Sequence, residues 1–394
     1  MIIKKYKEIL ISLILIAIVV CFYIIKYFTL NNETKDTKSN NLSIEEINED
    51  TTLVNDNTYN EEELKQSMQK GDRFAKFENI IIYANDYDES IYMLNLKDKN
   101  IKKIYKAENG IDKIYFDGEF IYILPYYYRG KGITRIDLQG NSSKIYEGSS
   151  IQLWLQGEEI YFVEQIGYDK INGTPQGNLS VMNKDGSNKK VLIENVKNYF
   201  YIVNDNIYYV DQTSRSIYSS KIDGTERKEI AKGRNYITSV NDKCLTYLDY
   251  NDGEKQHIIF LDNNKNIEVG RFGNVYNSSN NTYIYTRNLI GENNEIENEY
   301  TLYKVDYSNY TLSNLLKNDT SMEFLTYVFN DYAYFRSGSK IHRISLKNKN
   351  SEELNMGYSY FTNGKSYCIK SKEGVLTELD IFSLEDMNKI EIKF

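Results

Sequence analysis

An Ile-Tyr dipeptide, or a close variant of it, returns about every forty residues between Tyr83 and Tyr367. Each copy is followed by a turn and then by a second run in which apolar and polar residues alternate, as they do in half-buried strands. A period of this length in an all-strand pattern is typical of a β-propeller, in which four-stranded blades stack around a ring. The repeat therefore predicts an all-β array of blades. It leaves the chemistry open, because propellers support many unrelated activities.

The second strand of each copy carries an anchoring tyrosine, and these tyrosines set the number of blades. Eight units follow between residues 72 and 394, with the anchors Tyr83, Tyr122, Tyr161, Tyr208, Tyr247, Tyr285, Tyr334 and Tyr367. Eight blades are predicted, and seven or six are the alternatives if a terminal unit is incomplete. A first strand at 74–77 and a last strand at 389–394 require no strand exchange between the termini. We expect the anchors to be packing residues.

The clearest copy covers residues 197–231 and shows the pattern within one blade. Strands are predicted at 199–203, 207–210, 217–222 and 228–231. Asp223-Gly224 joins the third and fourth strands. This dipeptide predicts a tight hairpin turn, because such a turn requires positive φ angles.

The composition agrees with many half-buried strands and excludes one class of partner. Of 394 residues, 41% are hydrophobic and 37 are Tyr, whose ring packs while its hydroxyl stays hydrated. No basic stripe offsets the net charge of −8, so nucleic acid is not expected as a partner. The three cysteines, Cys21, Cys244 and Cys368, are too few for a disulfide framework, and we interpret them as free.

The N-terminus has the features of a membrane anchor. Residues 9–25 are apolar except for Ser12, which is about the minimum length that spans a bilayer. Lys4, Lys5 and Lys7 precede this run, so the charge bias predicts a cytoplasmic N-terminus and an extracellular remainder. A cleaved signal peptide is the alternative, but no small-x-small cleavage site follows the run. Residues 1–30 are therefore predicted to be a cytoplasmic tip and a single transmembrane helix.

A polar tether is predicted between the anchor and the propeller, over residues 31–71. The stretch to about residue 60 is acidic and nearly free of aromatic residues, and such a composition cannot bury enough apolar surface to order itself. Residues 60–71 begin with acidic residues and end at Lys70 and Gly71, which predicts a short helix. The propeller itself is predicted over 72–394.

Two segments of the clearest copy resemble a known family. Residues 206–211 read Asn-Ile-Tyr-Tyr-Val-Asp, and residues 217–225 read Ile-Tyr-Ser-Ser-Lys-Ile-Asp-Gly-Thr. They resemble the bacterial low-density-lipoprotein-receptor-related-protein-like β-propellers and, more distantly, YWTD propellers. The resemblance covers residues 72–394 and implies an extracellular binding module without shared catalytic residues. Val-Asp stands where Trp-Thr-Asp would, and eight units exceed the six typical of YWTD propellers.

Few residues in the sequence suggest catalysis or metal binding. His257 and His342 lie about two repeats apart, without a spacing that indicates a shared metal. There is no G-x-S-x-G motif for a serine hydrolase. Residues 85–89, Asn-Asp-Tyr-Asp-Glu, have the oxygen density of a calcium loop but lack the glycine and distal glutamate of an EF-hand. We expect no catalytic residue, no metal and no cofactor.

Two long loops are the predicted binding site. The connection between second and third strands is longest in the third unit, at 165–177, and in the sixth, at 287–299. Loops of this kind leave a propeller on one face and commonly carry function. The alternative is that both are merely tolerated insertions. The candidate ligand-binding residues are Tyr168, Asp169, Lys170, Arg287, Glu292 and Glu295.

The sequence favours a membrane-anchored binding, scaffold or sensor module at the cell surface, with a protein or cell-wall partner and no catalysis of its own. The alternative is a propeller enzyme of the lyase or cyclotransferase type, with carboxylates at the mouth of the central channel. Such an enzyme would hold carboxyl groups with raised pKa values there. A purely structural component of the cell envelope is a third possibility.

Overall fold

The computed structural model describes residues 68–69, 71–126, 129–168, 175–271, 273–277, 281–290, 297–317, 324–338, 340–354, 356, 360–362, 365–372, 375–384 and 387–393. The chain divides into two units, 1–51 with Phe394 and 52–393, and all of the described residues lie in the second. These residues form 31 strands.

The first four blades contain fifteen strands. They are β1 (Phe74–Phe77), β2 (Ile80–Asn85), β3 (Ser90–Asn95), β4 (Asn100–Lys106), β5 (Lys113–Phe116), β6 (Phe120–Leu124), β7 (Ile133–Asp137), β8 (Ser142–Tyr146), β9 (Ser150–Gln156), β10 (Glu159–Tyr168), β11 (Pro175–Asn183), β12 (Lys190–Val203), β13 (Asn206–Asp211), β14 (Ile217–Lys221) and β15 (Lys228–Ala231).

The last four blades contain sixteen strands. They are β16 (Asn235–Val240), β17 (Cys244–Asp249), β18 (Lys255–Phe260), β19 (Asn266–Arg271), β20 (Asn274–Asn277), β21 (Thr282–Ile290), β22 (Glu297–Asp306), β23 (Thr311–Lys317), β24 (Phe324–Phe329), β25 (Tyr332–Ser337), β26 (Lys340–Ser345), β27 (Ser351–Leu354), β28 (Tyr360–Thr362), β29 (Lys365–Lys372), β30 (Val375–Ser383) and β31 (Lys389–Lys393).

Sheet pairing divides these strands into eight four-stranded blades. Six sheets have four strands in sequence order, and the seventh runs without interruption from β9 to β15. In that sheet the long strand β12 pairs with β11 through its first half and with β13 through its second half. It therefore serves as the fourth strand of blade three and the first strand of blade four. The predicted all-β propeller is confirmed, and blade four has its strands where the sequence places them.

Each anchoring tyrosine lies on the second strand of its blade, and all eight are buried, between 0% and 8% exposed. Their rings pack against side chains of the same blade or of a neighbouring blade. For example, the Tyr285 ring stacks on Tyr300 of its own blade at 5.8 Å and meets Phe335 of the next blade edge-on at 5.7 Å. Cys244 and Cys368 are also buried, as free thiols. The repeat thus encodes the core, as the sequence predicts.

The ring of blades is closed by aromatic contacts. The Phe361 ring of blade eight lies 5.5 Å from Tyr327 of blade seven. The Phe74 ring of blade one stacks on Tyr360 of blade eight, with centroids 4.4 Å apart and planes at 11°. Such pairs contribute about 0.5–1.5 kcal/mol beyond their burial. Because β1 pairs with β2 and β31 pairs with β30, closure uses side chains and no strand is exchanged.

The antiparallel order places the connections at two opposite edges of each blade. We call the edge with the first-to-second and third-to-fourth connections the turn edge. The loop edge carries the second-to-third connections and the links between blades. At the turn edge, Asp side chains cap tight turns: Asp223 Oδ1 accepts from Thr225 N at 2.9 Å, and Asp306 Oδ1 accepts from Ser308 N at 2.9 Å. These turns repeat because short polar side chains stabilise them locally.

The two predicted long loops are partly strands. In blade three, β10 continues past Gln165, and Tyr168 pairs with Pro175 across the hairpin. In blade six, Arg287 pairs with Tyr300 and Ile290 pairs with Glu297. The prediction that 165–177 and 287–299 are wholly loop was therefore wrong. Backbone groups in an extended insertion pair with each other, so the insertions lengthen two hairpins at the loop edge.

The predicted anchor and most of the predicted tether lie outside the described residues. Within the described part of the chain, no helix is long and apolar enough to cross a membrane. Met68 and Gln69, which belong to the predicted short helix at 60–71, have helical backbone. Contacts with the propeller precede β1: Met68 packs against the core of blades two and three, and Asp72 forms a bridge with Ile114.

Candidate binding face

Exposed apolar side chains are concentrated at the loop edge. Among the described residues, seven large hydrophobic side chains are exposed. Five of them lie at the loop edge, in second-to-third connections or at the start of a first strand: Tyr87, Ile166, Tyr168, Tyr250 and Phe324. The other two, Val191 and Ile390, are the second residues of fourth strands, which begin at the turn edge.

The structure places two of the predicted site residues. Tyr168 ends β10 and is 50% exposed, and Arg287 is exposed on β21. They share the loop edge but belong to blades three and six, so the structure does not show them as one site. Asp169, Lys170, Glu292 and Glu295 lie outside the described residues.

A polar cleft opens at the loop edge between blades one and two. Its volume is about 210 Å³. It lies where the β2–β3 turn, the link from β4 to β5 and the segment after β6 meet. The residues that define its chemistry are Arg73, Asp86, Glu89, Ile111, Tyr126 and Arg129.

Arg73 holds one side of the cleft together. Its guanidinium donates from Nη1 to Tyr126 Oη at 2.7 Å and to the carbonyl oxygen of Ile111. It also forms an ion pair with Asp86, with Nη2 and Oδ1 2.5 Å apart. Tyr126 Oη in turn donates to Asp86 Oδ1 at 3.1 Å. Arg73 and Asp86 come from blade one, whereas Ile111 and Tyr126 come from the chain around blade two, so these bonds join the two blades.

Arg129 forms the other side, where it pairs with Glu89 across the cleft. The Tyr126 ring lies between the two guanidiniums, at 5.8 Å from Arg73 Cζ and 5.5 Å from Arg129 Cζ. Gly110 lies against this ring with φ +70°, and a Cβ there would meet the ring at 2.6 Å. Only glycine fits this position without displacing Tyr126. The cleft walls are therefore fixed by packing as well as by charge.

The same contacts bear on the calcium interpretation of residues 85–89. Asp86 pairs with Arg73, Glu89 pairs with Arg129, and Asp88 pairs with Lys103 at 2.7 Å. Burial alone would raise the pKa of Asp88, but hydrogen bonds from Lys103 and Tyr92 hold it below its ordinary value. Each carboxylate of this segment thus has a basic partner from the chain. These pairs favour a structural role for the segment.

Two other groups of carboxylates are likewise held by lysines. Lys255 Nζ lies 2.8 Å from Asp252 and 3.0 Å from Glu268, beside His257. In blade eight, Lys389 Nζ lies 2.8 Å from the buried Asp380, which also pairs with Lys370 at 2.6 Å. In both groups an ammonium occupies the place that a metal ion would take. They are ion-pair networks within single blades.

The first strand of blade two carries a half-buried lysine. Lys113 of β5 donates from Nζ to the carbonyl oxygen of Ile151 at 2.8 Å and lies 5.3 Å from the Tyr199 ring centroid. Burial lowers the pKa of this ammonium, although the carboxylates of Asp112 and Asp72 oppose the change. Lys113 thereby links blade two to blades three and four.

The carboxyl groups with clearly shifted pKa values all shift in the same direction. Within the described residues, every carboxyl group whose pKa departs clearly from its ordinary value has a lowered pKa: Asp88, Asp137, Glu164, Asp185, Asp211, Asp223, Asp252, Asp306, Glu353, Asp380 and Glu391. A carboxyl group that acts as a general acid at neutral pH needs a raised pKa. The feature expected of the alternative enzyme is therefore not found in this part of the chain.

No family model matches the sequence, and no curated protein matches it. Among solved structures, an oligogalacturonate lyase from Vibrio parahaemolyticus is 12% identical with a TM-score of 0.42, covering 70% of this chain and 85% of that one. The propeller domain of the Trilobed protease from Pyrococcus furiosus is 14% identical with a TM-score of 0.40, covering 62% and 84%. A puromycin-hydrolyzing peptidase of Mycobacterium tuberculosis is 8% identical with a TM-score of 0.47, covering 81% and 59%.

These likenesses are too distant to carry an argument about activity. The propeller fold of this chain rests on its own strand pairing and ring closure. Sequence reasoning missed the cleft, because Arg73, Tyr126 and Arg129 come together only when two blades pack. The available signal was an arginine immediately before the first strand of blade one and another in the unusually aromatic segment after β6.

Proposed function

We propose that this chain is a cell-surface binding module whose loop edge captures a partner. The single observation that carries the proposal is the concentration of exposed apolar side chains at that edge. Contiguous exposed apolar surface marks interaction sites, and these five side chains supply apolar groups at separate points of the loop edge, in blades one, three, five and seven. Aromatic side chains such as Tyr87, Tyr168 and Tyr250 supply large contact area with few rotatable bonds, which lowers the entropy cost of binding.

Three further features support this proposal. The apolar run at 9–25 with its preceding lysines would anchor the chain, and the tether would carry the propeller away from the membrane on the extracellular side. The resemblance to bacterial low-density-lipoprotein-receptor-related-protein-like propellers implies the same class of role. Among the described residues, every carboxyl group with a clearly shifted pKa has a lowered one, so none of these groups supports the alternative enzyme. The partner would be a protein or a cell-wall polymer.

The test is photo-cross-linking of the full-length chain on intact cells. A benzoylphenylalanine replaces Tyr87 or Tyr168 at the loop edge, and matched controls replace Val191 or Ile390, which are 44% and 36% exposed on fourth strands. We expect one recurrent adduct from the loop-edge positions and none from the controls. Equal capture from both sets, or capture from the controls alone, would contradict the proposal.

A second function is favoured by one observation, the half-buried Lys113 with its lowered pKa. A lysine whose pKa is lowered by burial can act as a base or a nucleophile. In this alternative the chain is a propeller enzyme of the lyase or cyclotransferase type with its site at the channel mouth. The two functions are distinguished by incubating the captured ligand with the purified chain and with Lys113→Met. A change in ligand mass that requires Lys113 would replace the binding proposal with the enzyme.

A further inference from the structure

The charges that line the cleft between blades one and two cancel. Arg73 and Arg129 are balanced by Asp86 and Glu89, and each arginine is already paired with one of these carboxylates. An anionic ligand would have to take an arginine away from its carboxylate. A cationic ligand would have to take a carboxylate away from its arginine. Either exchange gives up an ion pair that is already formed for one formed with the ligand, so a charged ligand gains little net charge interaction in this partly exposed cleft. The cleft therefore suits a ligand without net charge.

An uncharged ligand gains hydrogen bonds here without breaking an ion pair. A guanidinium has five N–H donors, and a carboxylate has about four acceptor positions. The Asp86 side chain is 71% exposed, Arg129 is 47% exposed and Glu89 is 35% exposed, so donors and acceptors alternate on the accessible wall. A hydroxyl group both donates and accepts. Adjacent hydroxyls on one ring match this alternation better than any group that only donates or only accepts.

An exposed aromatic residue adjoins Asp86 in the sequence, although it is not among the residues that line the cleft. Tyr87 follows Asp86 in the β2–β3 turn and is 68% exposed. Its backbone N–H donates to Asn85 Oδ1 at 3.0 Å, which fixes the turn that carries both side chains. A saturated sugar ring has an apolar C–H face as well as hydroxyls at its edge, and an aromatic ring can pack against that face.

The size of the cleft limits the ligand to a small unit. Its volume of about 210 Å³ is below the range of about 300–1,000 Å³ that holds drug-sized ligands. A single ring fits this space, and the rest of a longer chain would extend from the loop edge into solvent.

We propose that the cleft between blades one and two binds the terminal, uncharged sugar of a glycan. Arg73, Asp86, Glu89 and Arg129 hydrogen-bond to its hydroxyls, and Tyr87 packs against its ring. This inference rests on the proposed function, because it names the ligand class for part of the same loop edge.

The test applies the purified full-length chain to an array of immobilised oligosaccharides that end in neutral, acidic or amino sugars. We expect retention on neutral ends only. In surface plasmon resonance with the retained oligosaccharide, Asp86→Asn and Tyr87→Ala should each weaken binding at least tenfold. The matched control is Asp252→Asn, an exposed aspartate in the corresponding turn of blade five, which should bind as the parent chain does. Thermal unfolding of all three variants checks that the fold is kept.

The other outcomes overturn the inference in distinguishable ways. Retention on acidic or amino sugars alone contradicts the neutral ligand. If the chain is retained on a neutral sugar and Asp86→Asn binds that sugar as tightly as the parent chain does, the site lies outside the cleft. If the chain is retained on none of the oligosaccharides, the ligand class is wrong. If the cross-linkers on cells still capture a partner in that case, the proposed function stands without this inference. If no oligosaccharide retains the chain and the cross-linkers capture no partner, both the proposed function and this inference are wrong.

Discussion

The two edges of the blades are built from the same repeat but differ in what their side chains do. At the turn edge, short polar side chains bond to backbone within their own turn, as Asp223 does with Thr225. Glycines of the third-to-fourth turns also press on the preceding blade: a Cβ on Gly186 would lie 2.4 Å from the Ile145 carbonyl oxygen, and one on Gly224 would lie 2.8 Å from that of Leu192. At the loop edge, by contrast, connections vary in length and aromatic side chains face solvent.

If the proposed function holds, this difference predicts that the turn edge contributes more to stability and the exposed side chains of the loop edge contribute more to binding. A change at the turn edge should alter the free energy of unfolding and leave binding intact, whereas a change at the loop edge should do the opposite. The expected effects on stability fall in order from a turn-edge network to an exposed loop-edge ring.

The largest effect is expected for Asn241→Ala at the turn edge. The Asn241 side chain accepts from Cys244 N at 2.8 Å and donates to Thr282 Oγ1 at 2.8 Å and to Tyr307 Oη at 3.1 Å, so it joins blade five to blade six. Since each bond contributes about 1 kcal/mol, we expect the free energy of unfolding to fall by about 3 kcal/mol. Urea denaturation measures this loss.

The matched control for that variant is Asn251→Ala, an exposed asparagine at the loop edge of the same blade. It should change the free energy of unfolding by less than about 0.5 kcal/mol. Equal losses for the two variants would show that the edges do not differ in their contribution to stability.

A smaller effect on the free energy of unfolding is expected for Asp380→Asn. Asp380 lies on β30, between the two edges. Burial would raise the pKa of Asp380, but hydrogen bonds from Lys370 and Lys389 outweigh it and hold the pKa below its ordinary value. Because the folded pKa is the lower one, the stabilisation is complete above the unfolded pKa of about 4 and is lost as pH falls through the folded pKa. Because the two lysines are partly exposed, we expect Asp380→Asn to lower the free energy of unfolding by about 2 kcal/mol at pH 7.

That loss should shrink below pH 4, because Asp380 of the unfolded parent chain then becomes protonated, and the folded carboxyl follows at lower pH. Unfolding in urea at pH 7 and at pH 3 gives the comparison. Asp331→Asn serves as control, since Asp331 is half exposed and pairs only at the surface with Lys347. A loss that is the same at both pH values would rule out the ion pairs as its cause.

A still smaller effect is expected for Gly186→Ala, which tests the contact between a turn and the preceding blade. Gly186 has φ +89°, and the added Cβ would meet the Ile145 carbonyl oxygen at 2.4 Å. We expect a loss of about 1.5 kcal/mol from backbone strain and displacement of that carbonyl. Gly157→Ala is the control, with φ +54° and no atom within 4 Å. If Gly157→Ala costs as much, the contact with blade two contributes nothing.

The sequence predicts what is local and repeated. Tyr208 and the Asp223-Gly224 turn lie where their spacing places them, because alternation and turn chemistry act within one blade. The fusion of two strands into β12 was not predicted, because pairing on both sides sets its length and its own residues do not. The cleft was not predicted either, since Arg73 and Tyr126 meet only across two blades. The ligand candidates Asp169, Lys170, Glu292 and Glu295 stay predictions.

The smallest effect on stability is expected for Tyr87→Ala, which decides whether the loop edge is specialised for binding. The Tyr87 ring is 68% exposed, so its removal leaves no cavity and should change the free energy of unfolding by less than about 0.5 kcal/mol. Capture through a cross-linker at Tyr168 on intact cells should nevertheless fall at least tenfold. The reason is that an aromatic anchor contributes mainly to the complex. Ile390→Ala, equally mild for the fold, should leave capture unchanged; if it reduces capture as much as Tyr87→Ala does, the partner is not held by the loop edge.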